Sequence, residues 1–180
     1  MDRKKTYKLV FVGAPGSGKS TCIGAVSDIS VISTDVACTD GLAAIKETTT
    51  VAMDYGEMSL GDDERLLLYG LPGQSRFTFM FDTVAENLAG VVILIDASSA
   101  APLEGLEETL RTYAGRIGET PFVAAINKVQ GNVDALREQV AETLRRHGLV
   151  GPVIVVDARR REDMALIFDL VFLCAEYSDV

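Results

Sequence analysis

The sequence predicts an α/β fold, a mostly parallel six-stranded sheet with one antiparallel edge strand and helices on both faces. Three observations predict it. Short apolar runs such as YKLVFVG (7–13), GVVILID (90–96) and PFVAAIN (121–127) alternate with longer amphipathic stretches, the pattern of strand–helix–strand units. GVVILID is apolar at nearly every position, as a strand buried on both faces requires. The runs VAMDYGEM (51–58) and RLLLYG (65–70) flank a Gly-Asp-Asp turn, which reads as an antiparallel hairpin within that sheet.

The elements follow in order. YKLVFVG is the first strand. A helix opens inside the glycine-rich turn after it and runs to about Ser27. A polar, Thr-rich segment (30–50) leads to the hairpin, and GVVILID follows as a buried strand. PLEGLEETLRTYAGRI (102–117) has helical spacing. PFVAAIN is a strand, NVDALREQVAETLRRHG (132–148) a helix ended by Gly148, and GPVIVVDA (151–158) a strand. REDMALIFDLVFLCAEY (161–177) closes the chain as an apolar helix. The order is β-α-β-β-α-β-α-β-α-β-α. Right-handed crossovers gather the loops after the parallel strands along one rim, where such sheets bind ligands. No repeat, low-complexity tract or linker interrupts the chain, so residues 1–180 read as a single domain.

Composition narrows the function. Hydrophobic residues make up 48% of the 180 residues and charged residues 24%, with a net charge of −9, an ordinary soluble composition. An acidic chain without a basic footprint is not expected to bind nucleic acid. The runs 3–5 and 159–161 are read as solvated surface. Cys22, Cys38 and Cys174 form no CxxC pair, and with the single histidine, His147, they predict no zinc site. Free thiols fit a cytoplasmic location. No signal-peptide core, lipidation motif or membrane-length apolar run is present in the sequence, so no direct membrane insertion is expected.

The chemistry begins at GAPGSGKS (13–20), which matches G-x-x-x-x-G-K-[ST] between a strand and a helix. Glycines let backbone N–H groups turn inward onto phosphate oxygens, and the helix N-terminus adds a favourable dipole. The candidate phosphate-binding residues are Gly13, Ala14, Pro15, Gly16, Ser17, Gly18, Lys19, Ser20 and Thr21. Lys19 would bridge the β- and γ-phosphates and Ser20 would offer its hydroxyl to Mg²⁺. The dinucleotide spacing G-x-G-x-x-G is not met. Downstream, Gly73 in LPGQ is placed to donate its N–H to a γ-phosphate, and Gln74 to orient the attacking water. Three threonines in KETTTVAMDYG (46–56) precede the first hairpin strand, where a hydroxyl could complete the Mg²⁺ shell.

GAPGSGKST, KETTTVAMDYG, YGLPGQSRFTFM and NKVQ, in that order, resemble the Ras-like small GTPase superfamily. The resemblance is closest to its bacterial branch of gliding-motility and conservon GTPases. It implies a P-loop NTPase fold, Mg²⁺ with GTP or GDP as ligand, and slow, partner-stimulated GTP hydrolysis. It also implies a roadblock-type partner, with recruitment to the membrane through a partner. Thr50 would be the switch I threonine and metal ligand, with Thr49 and Thr48 as fallbacks. Gly73 would be the switch II glycine and Gln74 the catalytic glutamine, acting with Lys19. Asn127 and Lys128 would frame the base, with Gln130 beside them, and Ala158 would give a backbone N–H to its carbonyl oxygen.

Two positions depart from that pattern. Gly70 stands where an aspartate normally holds a Mg²⁺ water, so magnesium should be held less firmly. Gln130 stands where a carboxylate would accept two guanine N–H groups. An amide offers one acceptor and a donor, which costs on the order of 1–3 kcal/mol of guanine preference. Asp134 is close in sequence and could substitute. Asp96, at the end of GVVILID, is either a rival Mg²⁺ group or a strand-end cap. Alternation with Val51 and Met53 turns Asp54 to solvent. Cys22 reads as a small buried hydrophobe, and Arg76 as a partner-contact or surface residue. Phe77, Phe79 and Phe81 either pack under the sheet or form a surface that follows nucleotide state. Three activities remain open: a GTPase switch, a non-hydrolysing nucleotide-binding adaptor, and a P-loop ATPase or kinase.

Overall fold

β1 (Lys5–Gly13) runs through the middle of the sheet because both of its faces are apolar. Leu9 and Phe11 join one buried cluster, Val10 and Val12 the other. In the computed structural model, which describes residues 5–36, 51–73 and 78–178, β1 pairs in parallel with β4 (Glu64–Gly70) and β5 (Leu88–Asp96). β6 (Phe122–Asn127) and β7 (Val153–Val155) continue the parallel run beyond β5. On the other side β3 (Val51–Ser59) pairs antiparallel with β4, completing the expected hairpin.

β2 (Ile32–Val36) then pairs antiparallel with β3. The sheet order is β2-β3-β4-β1-β5-β6-β7, seven strands among the described residues. The six-strand expectation falls short by β2, and the antiparallel strand β3 lies second from the edge. The short run ISTDV sits in the segment read as polar. An outer strand can be held by backbone pairing alone, so it leaves little hydrophobic pattern to read.

Helices cover both faces. α1 (Lys19–Val26) and α5 (Arg161–Ser178) pack Ile23, Ile167 and Val171 on Leu9, Phe11 and Val92. α2 (Thr78–Val84), α3 (Pro102–Ile117) and α4 (Asp134–Arg146) pack Phe81, Leu110 and Val140 around the opposite cluster of Val10, Val12 and Ile93. α3 begins with a proline, and α4 carries Asp134 in its first turn and Arg145 and Arg146 in its last, all favourable at those ends. No helix among the described residues is long and apolar enough to cross a membrane.

The parallel strands β4, β1, β5 and β6 end together. Phe11 is opposite Gly70, Gly13 opposite Leu94, and Asp96 opposite Asn127. The loops that follow them therefore share one rim.

Candidate functional site

The phosphate-loop candidates occupy the centre of that rim. Gly16 and Gly18 have φ of 77° and 111°, conformations that glycine adopts without the Cβ penalty. A Cβ on Gly18 would also lie 2.5 Å from Asn127 Nδ2. The Cys22 N–H donates to Gly18 O at 2.8 Å, so α1 springs directly from the loop. Lys19 folds back over it, its Nζ donating to Gly13 O at 2.9 Å and to Ala14 O at 3.0 Å. Burial of this ammonium lowers its pKa to about 8, against the opposing attraction of Asp54. Pro15, Ser20 and Thr21 are exposed, while Ser17 is buried beneath the loop. Cys22 is fully buried, as expected, and burial pushes its thiol up to about 12.

Asp54 is half-buried rather than free in solvent. Its Oδ2 accepts a hydrogen bond from Ser20 Oγ at 2.5 Å, and its Oδ1 accepts one from Ser33 Oγ at 2.7 Å. Asp54 does lie on the face opposite Met53, but α1 covers part of that face: a Cβ on Gly56, two residues along, would lie 2.5 Å from Ile23 Cγ2. Register explains the rest. Asp54 is the cross-strand partner of Gly70, and a Cβ on Gly70 would come within 3.2 Å of Asp54 Cβ. The residue missing a carboxylate is thus the one that leaves room for the carboxylate opposite. The hairpin register was the signal in the sequence that could have found Asp54.

Beside the loop opens a cavity of about 960 Å³, lined by Gly16, Gly18 and Thr21 on one side and by Asn127, Lys128 and Gln130 on another. Asn127 is 3% exposed and staples two loops together. Its Nδ2 donates to Ser17 O at 2.9 Å and its Oδ1 accepts the Ala158 N–H at 3.1 Å. The Ala158 N–H, expected to face a base carbonyl, is here spent on Asn127, although Ala158 does line the cavity. Lys128 holds φ of 60°, uncommon for a side-chain residue and worth on the order of 1 kcal/mol of strain. Its Nζ donates to Gly16 O at 2.5 Å and to Asp96 Oδ2 at 2.8 Å.

Asp96 behaves as the strand-end cap. It accepts the Ser98 N–H at 2.9 Å and the Ser98 hydroxyl at 2.6 Å. Burial works to raise its carboxyl, but the hydrogen bonds from Lys128 and Ser98 outweigh it and hold it below the usual carboxylate value. Gln130 lines the cavity. Asp134 lines a different groove, between α4 and β7, so it does not replace a carboxylate at Gln130. Arg159 also lines the cavity, paired with Asp157 at 2.6 Å.

Gly73 lies against the phosphate loop. A Cβ there would sit 2.9 Å from Gly13 O and 3.0 Å from Thr109 Oγ1. α3 holds this turn, with Tyr113 Oη donating to Pro72 O at 2.6 Å and Thr112 Oγ1 to Gly73 O at 3.2 Å. Tyr113 and Thr112 lie in an amphipathic helical stretch that holds no motif, so the sequence bears no sign of them. Of the aromatics, Phe81 is buried and tilted against Tyr113 at 5.6 Å between centroids, whereas Phe79 is 40% exposed. Gln74, Arg76, Phe77, Thr48, Thr49, Thr50 and Cys38 lie outside the described residues.

Comparison with known proteins agrees with this geometry at a coarser level. The chain is 28% identical over 133 residues to an uncharacterized protein of Methanocaldococcus jannaschii, a match covering 73% of this chain and 77% of the relative. Residues 30–177 match a family described as conserved hypothetical ATP binding proteins. That span starts after the glycine-rich loop, whose motif adds independent support for nucleotide binding. With most of its length matched, the chain belongs to that family, and its mixed α/β sheet is that of a P-loop NTPase.

Proposed function

We propose that the protein is a Mg²⁺-dependent nucleotide switch of the Ras-like kind, binding GTP and hydrolysing it slowly. The observation that supports it most is the contact between Ser20 and Asp54 beside the half-buried Lys19. Hydroxyl and carboxylate oxygens are the hard donors that Mg²⁺ takes, usually with several waters retained. The residues present therefore fit the ion: Ser20 would hold it directly, and Asp54, hydrogen-bonded to Ser20, would hold one of its waters. On this reading Asp54 supplies the charge that Gly70 lacks, and magnesium is held firmly. The bound ion would neutralise charge on the β- and γ-phosphates.

The chain's own residues do the rest. Lys19 leaves the carbonyls of Gly13 and Ala14 for the phosphates. Gly73, already against Gly13, offers its N–H to the γ-phosphate, Thr50 joins Ser20 at the metal, and Gln74 orients water. Asn127 and Lys128 frame the base as the resemblance implies, and the segments around Thr50 and Gln74 present nucleotide state to a partner, a roadblock-type protein by the same resemblance. An adenine reading is favoured by one residue. The Gln130 amide has an acceptor for adenine N6–H and a donor for N1, in line with the ATP binding named for the family.

Titration of nucleotide-stripped protein with GDP, GTP, ADP and ATP, each with Mg²⁺, tests the proposal. Guanine nucleotides binding at least about tenfold tighter, about 1.4 kcal/mol, support the GTP switch. Equal or tighter adenine binding moves the assignment to ATP with Gln130 as the reader. No binding of any of the four overturns both.

A further inference from the structure

The hydroxyls of Thr112 and Tyr113 are out of place for core residues. Tyr113 packs into an apolar cluster with Val12, Leu71 and Phe81 at 0% exposure, and Thr112, the residue before it, is buried at 7%. Phenylalanine and valine would fill the same volumes without polar atoms that must find partners. Tyr113 finds the Pro72 carbonyl, and Thr112 lies within reach of two acceptors, Glu108 O in its own helix and the next carbonyl along the turn, that of Gly73.

We propose that Tyr113 and Thr112 are positioning residues that aim the Gly73 N–H at a nucleotide's terminal phosphate, and so set how strongly the protein prefers a triphosphate over a diphosphate. This rests on the nucleotide-switch reading above.

The geometry of the peptide unit supplies the reason. In a planar trans peptide the C=O of one residue and the N–H of the next point in opposite directions, and no cis bond occurs among the described residues. Tyr113 pins the Pro72 carbonyl toward α3, so the Gly73 N–H projects away from α3. Burial pushes the Tyr113 phenol up to about 12, so it remains a donor at any working pH. Thr112 reaches the following carbonyl, so the peptide units on both sides of Gly73 are contacted by neighbouring residues of one helix. Gly73 is also closely approached on its side-chain side, where a Cβ would lie 2.9 Å from Gly13 O and 3.0 Å from Thr109 Oγ1.

The two clamps differ in how they release. A threonine hydroxyl has one proton, and Thr112 Oγ1 also lies 2.9 Å from Glu108 O in its own helix. When Gly73 moves, that proton stays on Glu108 and the threonine hydroxyl is not left unpaired. Tyr113 therefore sets the direction, and Thr112 is the part that can let go. α2 hangs on the same helix, through Phe81 against Tyr113 and through Asp82 paired with Arg116 at 2.7 Å. Release of the turn is therefore read by α2 and α3 together.

The test measures affinities of the nucleoside diphosphate and of a non-hydrolysable triphosphate, with Mg²⁺, for wild type, Tyr113→Phe, Thr112→Val and Thr112→Ser. Tyr113→Phe and Thr112→Val are each expected to weaken the triphosphate by roughly fivefold, the worth of one such hydrogen bond. Diphosphate affinity should stay within about twofold, and Thr112→Ser, which keeps the hydroxyl, should keep the wild-type ratio. Thermal unfolding without nucleotide confirms that each variant is folded. An unchanged triphosphate-to-diphosphate ratio in both hydroxyl-deleted variants, or an equal loss for both nucleotides, overturns the proposal and leaves a packing role. Failure of the underlying reading looks different. Wild-type protein would then bind neither nucleotide, or bind both as well with Lys19→Ala, and the proposal would fall with it.

Discussion

Asp54 takes its meaning from its neighbours. As one letter in VAMDYG it is a polar position on an alternating strand. Opposite Gly70 and beneath α1 it becomes an acceptor for Ser20 and Ser33. Replacing it by asparagine keeps the shape and removes the charge. Asp54→Asn is expected to weaken nucleotide binding in the presence of Mg²⁺ by about tenfold or more, in the range found for groups that orient metal ligands. With the metal chelated the loss should nearly vanish, and an equal loss with and without metal would mean that Asp54 acts only through the fold. Lys19 gives a second prediction at this scale, because burial has already lowered its pKa to about 8. A bound phosphate favours the ammonium and pulls that value back up. Affinity should therefore be level below about pH 8 and fall above it, by up to roughly tenfold per pH unit, as the free protein sheds the proton that the complex needs. The same depression makes the nucleotide-free fold gain stability as pH rises from about 8 toward the ordinary lysine value of 10.5, where the unfolded chain still holds the proton. A binding profile flat to about pH 9.5 would show that Lys19 is not the group sensing the phosphate.

Elements with a strong apolar pattern were legible in the sequence and those without one were not. β5 and β6 announce themselves because both of their faces are covered. The β3–β4 hairpin announces itself through its turn, and that turn also sets the register that brings Asp54 to Gly70. β2 hides because an outer strand can be assembled from backbone pairing with β3. Helix docking depends on absences that a pattern does not flag. Gly90 reads as an ordinary letter in a strand, yet a Cβ there would lie 2.2 Å from Val171 Cγ1 and 2.9 Å from Pro121 O. The side chain of Val171 could turn aside, but the Pro121 carbonyl is backbone and belongs to the turn that leads into β6. Gly90→Ala should therefore push α5 off β5 and cost about 1–3 kcal/mol of stability, the usual scale for overfilling a packed core. Urea unfolding measures it, and a change below about 0.5 kcal/mol would mean that α5 shifts freely on the sheet.

At the scale of the whole molecule, the site is where separate parts of the chain meet. The segment 13–21 was legible as a glycine-rich loop because one short stretch carries its pattern, and Asn127 and Lys128, which line the cavity beside it, also sit in one short stretch. The bond from Tyr113 to Pro72 and the bond from Ser20 to Asp54 were not, since each joins residues 41 and 34 positions apart and depends on how the elements stack. This dispersal has a thermodynamic consequence. The loop after β1 is tied to Asn127 at the end of β6 and to Lys128, the residue after it, α1 is tied to β3 by Ser20, and the loop lies against Gly73, which α3 contacts. A nucleotide seated there would contact groups on both sides of β1, so unfolding either half would release it. Binding should then stabilise the whole fold, with the gain set by mass action: about 2.7 kcal/mol at about 100 times Kd. For a chain of this length each kcal/mol moves Tm by about 2–4 °C, so Mg²⁺ with saturating nucleotide should raise Tm by roughly 5–10 °C in one cooperative transition. Lys19→Ala should abolish most of that rise. An equal rise in Lys19→Ala would place the nucleotide elsewhere, and a rise in only one of two resolved transitions would show that the rim does not couple the two halves of the sheet.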